Sequence, residues 1–368
     1  MKTTTILRWY PLLIPFVLML LLEGAFRLGL WEWVAKPDSH AGQVIALKSR
    51  LDQYAVRTAS DPITHVALGN STTVFGLSHP MLHGHLKSRQ SHYVSAAIPG
   101  SHLTALKTRY RWLQDQLPDL ETVILGINVG DTNRVFNGYY ERNLVLPLCE
   151  GCSPASIVRS YPPERQKQES YGSLSHVLSY REDIGGALLH PLQRVRELLN
   201  AANRRPEVSL LYENRSTDHL CNIPLQNVEA CREALGHPES IDNVHGLQTM
   251  RLYCANVSQP AVLSEPARAA QDVWIDWIAS IAAQRSVQVL LMPEHPLFRA
   301  GTQSLATRLK ERLGERGIDA IDLRAIVASG NDPECSYWRD LVHLNARGAG
   351  LATLEVIGVM ESRDRESM

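Results

Sequence analysis

The chain has 368 residues, of which 44% are hydrophobic and 20% are charged, and its formal net charge at pH 7 is -1. So large an apolar share excludes an intrinsically disordered chain, and the near-zero net charge gives no support to a nucleic-acid partner, so we predict none. The length allows one large domain or two ordinary ones after the N-terminal segment is set aside.

Residues 1–35 are predicted to form a membrane anchor. Lys2 and Arg8 precede a run from Trp9 to Leu22 without any charged residue, and the apolar character continues to Val34. About 20 apolar residues span a bilayer, and positive charge before the span keeps the N-terminus inside. We therefore predict a single-pass protein of the inner (cytoplasmic) membrane with a periplasmic or extracytoplasmic domain. Aromatic residues would mark both membrane interfaces: Trp9, Tyr10, Trp31 and Trp33.

Two other interpretations of this segment remain open. A cleaved signal peptide would export the same residues, although no small-residue cleavage signature closely follows the apolar run. A buried N-terminal helix of a soluble protein would be unusual, because the run would be apolar all round. Glu23 and Arg27 stand four residues apart, so that in a helix they would share one face and pair.

The six cysteines are Cys149, Cys152, Cys221, Cys231, Cys254 and Cys335. An even number in an oxidising compartment is compatible with structural disulfides, but the spacing does not give their connectivity. Cys149 and Cys152 form a C-x-x-C motif, yet no second C-x-x-C or H-x-x-H follows it. Unpaired thiols and metal or redox chemistry are therefore the lesser alternatives, and we predict no metal site and no cofactor.

Short apolar strands alternate with amphipathic helices along much of the chain. The predicted strands cover residues 64–68, 93–95, 122–128, 287–293 and 320–323, and the predicted helices end near residue 117 or cover 265–284, 303–316 and 346–360. This alternation predicts an α/β fold, a three-layer α/β/α sandwich with a mainly parallel sheet. Residues 36–61 are predicted to be a stalk, 62–368 the main domain, and about 133–262, where the pattern lapses, a large insertion.

Polar clusters follow three of the predicted strands, and a fourth precedes the last helix. The clusters are Gly69-Asn70-Ser71, Pro99-Gly100-Ser101, Gly126-Ile127-Asn128 and the segment from Asp340 to His343. Ligands of a parallel sheet bind at the carboxyl ends of its strands, so we expect one shared site there.

These clusters contain the groups that acyl transfer requires. Ser71 is the predicted nucleophile, His343 the base that removes its proton, and Asp340 the carboxylate that orients the imidazole. The backbone N–H groups of Ser71 and Gly100 and the side-chain amide of Asn128 would stabilise the oxyanion.

Each of these residues also has a purely structural interpretation. Ser71 alone would suit the N-cap of the following helix, and Gly100 or Asn128 alone would suit a turn. Four further residues near strand ends are weaker candidates for the same cleft: Asp131, Asn133, Glu294 and His295.

In this order, the four clusters resemble the four sequence blocks of the SGNH hydrolase (GDSL-type esterase) superfamily. The match assigns the serine, glycine and asparagine of the first three blocks to Ser71, Gly100 and Asn128, and the final D-x-x-H to Asp340 and His343. The superfamily fold is the α/β/α sandwich predicted above.

The final block is the most specific part of the resemblance, since Asn345 and Gly348 continue it as D-x-x-H-x-N-x-x-G. Two blocks depart from the usual pattern, because Asn70 replaces the Asp of G-D-S and Val129 replaces the Asp of G-x-N-D. Neither replaced residue is the nucleophile, the base or an oxyanion donor. Asn70 keeps the size and turn propensity of Asp but loses the charge.

A membrane anchor before such a domain resembles the cell-envelope branch of the superfamily, which includes proteins of alginate O-acetylation and of teichoic acid D-alanylation. The resemblance implies serine-dependent acyl transfer or ester hydrolysis, with acetyl the expected group, on a cell-envelope or exported polysaccharide. A membrane protein that donates the acyl group would be the partner of a transferase. The altered blocks keep a second hypothesis open, a catalytically silent envelope scaffold or glycan-binding protein with the same fold.

Overall fold

The structure, a computed structural model, describes residues 10–57, 62–134, 141–148, 155, 175–203, 233, 263–325, 334–340 and 342–367. The chain divides into two compact units. The anchor unit contains residues 1–54 and 138–204, and the sheet unit contains residues 55–137 and 205–368. The anchor unit thus joins the predicted anchor to parts of the predicted stalk and insertion.

The elements follow one another as α1 (Tyr10–Ala25), a π-helical turn (Phe26–Leu30), α2 (Trp31–Val34), α3 (His40–Arg57), β1 (Ile63–Leu68), α4 (Ser71–Gly76), α5 (His79–Ser88), β2 (His92–Ser95), α6 (Leu103–Gln116), β3 (Thr122–Ile127) and a 3-10 turn (Val129–Asn133). They continue as α7 (Glu141–Val145), a 3-10 turn (Leu146–Leu148), α8 (His176–Ser179), α9 (Arg181–Leu189), α10 (Pro191–Asn203), α11 (Glu265–Ala282), β4 (Ser286–Leu291), α12 (Pro296–Gly314), β5 (Ala320–Asp322), a 3-10 turn (Glu334–Tyr337) and α13 (Ala346–Ser367).

The five strands form one parallel sheet in the order β2-β1-β3-β4-β5, which confirms the predicted α/β class with a parallel sheet. Leu68 at the end of β1 is in register with Leu125 of β3, and Ala67 is in register with Ser95 of β2. After β1 the chain adds β2 on one side of it, and β3 then pairs with the other side of β1. The direction in which strands are added to the sheet therefore reverses between β2 and β3. Such a switch point opens a crevice at the carboxyl ends of the strands.

Helices and loops bury both faces of the sheet. On one face, Ala67, Ile124 and Leu290 are fully buried in a core cluster that includes residues of α5 and α13. The alternate residues Val66 and Val123 point to the other face and are equally buried. Burial on both faces explains why the central strands are nearly continuous in apolar residues.

The helix before β5 begins earlier than the sequence pattern indicated. It starts at Pro296 instead of residue 303, because a proline fits the first helical turn, where no N–H donor is needed. The added turns carry Arg299 and Thr302 to the edge of the sheet.

In the anchor unit, Leu13–Val34 is a helical segment long and apolar enough to cross a membrane. Only 6% of the most apolar stretch of this segment is buried, which argues against the core helix of a soluble protein. The finding agrees with the predicted single-pass anchor. The predicted ion pair is present, with Arg27 Nε 2.9 Å from Glu23 Oε1. The membrane orientation remains a prediction.

Two aromatic residues at the end of this segment differ in their environment. Trp33 is 77% exposed, as a residue at a membrane interface would be, whereas Trp31 is only 7% exposed. Trp31 stacks on Tyr180 with ring centroids 5.4 Å apart, so it packs within the anchor unit. The interfacial position of both tryptophans remains a prediction.

Cys335 is buried and disulfide-bonded, in agreement with the predicted disulfide chemistry. The other five cysteines lie outside the described residues, so the connectivity remains open.

Gly348→Ala is expected to destabilise the sheet unit, because the added Cβ would overlap the carbonyl oxygen of Tyr337 and lie 3.1 Å from Leu344 Cδ2. We expect a loss of about 2 kcal/mol or more in the free energy of unfolding, measured by denaturant titration followed by circular dichroism. Gly350→Ala is the matched control, because its Cβ would meet only Met81 Sδ at 4.0 Å. That change should be neutral or stabilise α13 by roughly 0.5 to 1 kcal/mol. Equal effects of the two changes would contradict this account.

Candidate functional site

Ser71 is the first residue of α4, directly beyond the end of β1. Asn70 caps this helix, since its Oδ1 accepts hydrogen bonds from Thr72 N (2.9 Å) and from Thr72 Oγ1 (2.7 Å). The interpretation of Ser71 as the N-cap is therefore wrong. No described residue forms a hydrogen bond with the Ser71 hydroxyl, so this hydroxyl is available to a substrate.

Two glycines allow α4 to approach the sheet closely. Thr73 Oγ1 donates to the carbonyl oxygen of Gly126 at 3.2 Å. A Cβ at Gly69 or at Gly126 would overlap this threonine hydroxyl. The glycines of the first and third sequence clusters thus fix where Ser71 lies relative to β3.

Asp340 and His343 form a hydrogen-bonded pair. His343 Nδ1 lies 3.1 Å from Asp340 Oδ1 and 3.0 Å from Asp340 Oδ2. Backbone N–H groups of Val342 and His343 also donate to Oδ1, each at 2.8 Å. Burial works to raise the pKa of Asp340, but the hydrogen bonds and the imidazole prevail and hold that pKa well below its usual range. The carboxylate accepts from Nδ1, so Nε2 is the proton-accepting nitrogen of the neutral ring.

The imidazole of His343 lies on the helix face that carries Ser71. Its centroid is 4.7 Å from that of Phe75, which follows Ser71 by four residues and so shares its face of α4. His343 Nε2 is buried and has no hydrogen-bond partner among the described residues. The hydrogen bond between Ser71 Oγ and Nε2 is thus not formed here, and such contacts commonly tighten only when substrate binds.

The residues that extend the final motif hold its loop in place. Asn345 Oδ1 caps α13 by accepting from Gly348 N at 3.1 Å, and Asn345 Nδ2 donates to Ser336 O at 2.7 Å. An antiparallel bridge between Trp338 and Leu344 closes the loop around Asp340 and His343. Asn345 and Gly348 therefore position the pair through the backbone.

The three predicted oxyanion donors lie at the ends of neighbouring strands. In the described part of the chain, Ser71 N, Gly100 N and Asn128 Nδ2 donate to no other atom. Gly100 has φ 74°, in the left-handed region that favours glycine. Asn128 Oδ1 accepts from Gly130 N at 2.9 Å, which orients the amide and leaves its NH₂ group for a ligand.

Arg109 on α6 is a residue of this site that sequence reasoning missed. Its side chain is fully buried, Nη1 donates to Gly69 O (3.4 Å) and Ala96 O (3.1 Å), and Nη2 donates to Ser101 Oγ (2.6 Å). Burial lowers its pKa to about 9, and no described carboxylate pairs with it. The guanidinium thus joins the loops that carry Ser71 and Gly100 and places a positive charge behind them.

Asn70 and Asp131 account for the altered first block. Asn70 Nδ2 donates to Asp131 Oδ2 at 2.6 Å. An aspartate at position 70 would set a second carboxylate against Asp131, whereas the amide supplies a donor. Asp131 therefore belongs to the site edge, while Asn133 is exposed.

Glu294 and His295, two of the weaker candidates, are buried just beyond the end of β4. Thr302 Oγ1 donates to Glu294 Oε2 at 2.6 Å, and Arg324 Nη1 lies 3.6 Å from the same oxygen. These two contacts lower the pKa of Glu294, but burial of the carboxyl outweighs them and raises the pKa to about 7. The ring of His295 contacts that of Trp338 edge to face, with centroids 5.2 Å apart. Burial lowers the pKa of His295 to about 3, so this imidazole is neutral.

No set of three or more His, Cys, Asp or Glu side chains within the described ranges is arranged to hold a metal ion. Comparison with protein-family models, with curated sequences and with solved structures finds no match for the chain. The resemblance to the SGNH superfamily therefore rests on the motif residues themselves.

Glu294→Gln is expected to remove a pH dependence of stability. The pKa of Glu294 rises from 4.5 to about 7 on folding. The contribution of its carboxyl to the free energy of unfolding is therefore fully present below pH 4.5 and is lost as the pH rises through 7. The shift corresponds to on the order of 3 kcal/mol. The melting temperature of Glu294→Gln minus that of the wild type should therefore increase by several degrees between pH 5 and pH 8.

The matched control is Glu311→Gln on the exposed face of α12, which removes one carboxylate without a buried site. If both variants track the wild type equally across this pH range, Glu294 does not titrate as described.

Proposed function

We propose that this chain is an SGNH-type serine esterase or O-acyltransferase. The observation that carries the proposal is the hydrogen-bonded pair of Asp340 and His343. Nε2 of this histidine is buried without a hydrogen-bond partner among the described residues, and its ring packs on Phe75 of the helix that begins at Ser71. A base held by a carboxylate beside a serine with a free hydroxyl is the arrangement that nucleophilic acyl transfer needs.

The residues suggest a two-step reaction. Ser71 Oγ attacks the acyl carbonyl carbon while His343 Nε2 takes its proton, and Asp340 stabilises the imidazolium. The carbonyl oxygen becomes an oxyanion held by the donors of Ser71, Gly100 and Asn128, and the leaving alkoxide takes the proton from His343. An acceptor hydroxyl or water then gives its proton to His343 and attacks the acyl-serine. His343 returns this proton to Ser71 Oγ as the bond between Oγ and the acyl carbon breaks, which releases Ser71.

The substrate class follows from the anchor and from the resemblance. A membrane span before the sheet unit favours a cell-envelope or exported polysaccharide as the acylated substrate, with acetyl as the group transferred. We place the chain in the inner membrane with the sheet unit in the periplasm. A membrane protein that supplies the acyl group is the natural partner of a transferase, whereas an esterase needs only water.

A catalytically silent scaffold is the second candidate function. Two observations favour it, namely the missing hydrogen bond between Ser71 Oγ and His343 Nε2 and the altered first and third blocks. A glycan would then bind in the crevice without reaction. Turnover by the wild-type chain separates the two candidates.

Ser71→Ala is expected to lower kcat for p-nitrophenyl acetate by about a thousandfold or more, because the nucleophile is lost. The experiment uses the full chain in detergent. His343→Gln, which removes the proposed base, is a second variant. Ser88→Ala, at the exposed end of α5, is the matched control and should keep wild-type turnover.

Equal turnover by the wild type and Ser71→Ala would exclude the serine mechanism. Absence of turnover by the wild type and by all three variants, on this substrate and on acetylated oligosaccharides, would favour the scaffold.

A further inference from the structure

Helix α10 of the anchor unit exposes an apolar surface. Leu192, Val195 and Leu199 recur at intervals of three and four residues, which places them on one face, and they are 76%, 53% and 60% exposed. Leu188 and Leu189 at the end of α9 are 77% and 76% exposed. We call these five side chains the leucine stripe.

The opposite face of α10 is polar and points inward. Arg194 is only 7% exposed, and together with the partly buried Glu197 it lines a polar cavity of about 330 Å³ inside the anchor unit. Gln193 also borders this cavity but is itself exposed to solvent. A surface helix of a soluble protein buries its apolar face and exposes its polar face. Helix α10 does the reverse, and this pattern marks a surface that contacts lipid or another macromolecule.

The segment that leads into the helices of the leucine stripe is joined to the candidate membrane span at two places, near the middle of the span at Glu23 and near its end at Trp31. The carboxylate of Glu23, within that span, accepts hydrogen bonds from the backbone N–H groups of His176 (3.1 Å) and Val177 (3.2 Å), which begin α8. Tyr180, which follows α8, stacks on Trp31 near the end of the span. These contacts tie α8 and Tyr180 to the span itself, so the stripe, which follows on α9 and α10, cannot lie far from the bilayer.

We propose that the leucine stripe docks on the phospholipid bilayer, as a second membrane contact of the anchor unit beside the span. Continuity with the span favours lipid over a protein partner, because the stripe cannot move far from the membrane surface. Arg196 is exposed next to Leu192 and Val195, where its guanidinium would meet lipid phosphate. The anchor unit then lies in the interface with a fixed orientation. This proposal is independent of the proposed catalytic function.

The test places the photoreactive amino acid p-benzoylphenylalanine at the position of Leu192 or Leu199 in the full chain. The chain is reconstituted into vesicles of phosphatidylethanolamine and phosphatidylglycerol, irradiated and examined by mass spectrometry for lipid adducts. The matched control carries the same amino acid at Gln193, which is exposed but lies off the stripe. We expect at least about tenfold more lipid adduct at the two stripe positions.

Equal lipid adduct at Gln193 and at the stripe would overturn the proposal. Adducts to a second copy of the chain, in place of lipid, would show a protein interface and overturn it as well. The double variant Val195→Gln and Leu199→Gln should reduce the lipid adduct at position 192 severalfold if the stripe docks as a unit. Circular dichroism checks that this double variant keeps its helices, and an unchanged adduct yield in a folded variant would again contradict docking.

Discussion

The hydrogen bond from His343 Nδ1 to the carboxylate of Asp340 is the interaction on which the account of this site depends. It determines which ring nitrogen can accept a proton, and it ties the base to the start of the last helix. The loop keeps this geometry because Asn345 caps α13 and Gly348 lets the helix approach the backbone of Tyr337. Without that bond, the imidazole of His343, which packs on Phe75 of α4, would have no fixed orientation.

The sheet supplies the other half of the site. Because β1 lies between β2 and β3, the loops that carry Ser71, Gly100 and Asn128 are neighbours at one edge. Arg109 links two of these loops through their backbone carbonyls and brings a buried positive charge to the edge where an oxyanion would form. Glu294 shows the opposite balance, since burial keeps its proton on up to about pH 7.

Much of this arrangement could be predicted from the sequence, because apolar runs bounded by polar turns determine strands well. All five strands lie within two residues of their predicted limits. The role of Arg109 could not be predicted, because an arginine on an amphipathic helix carries no signal that it points inward. Helix α10 was not predicted, because it lies in the stretch of about residues 133–262 where the alternating pattern lapses. Its polar face is the buried one, which is the reverse of the usual amphipathic pattern. The pairing of Asn70 with Asp131 depends on contact between two strand ends, which local sequence does not encode.

The most direct test of the central claim is to locate a covalent adduct. The full chain is treated with a fluorophosphonate, which reacts with serines activated by a neighbouring base, and its peptides are analysed by mass spectrometry. The account predicts one adduct, on Ser71, that is lost in His343→Gln. Failure of the wild-type chain to react, or an adduct on another serine while Ser71 stays unmodified, would contradict it.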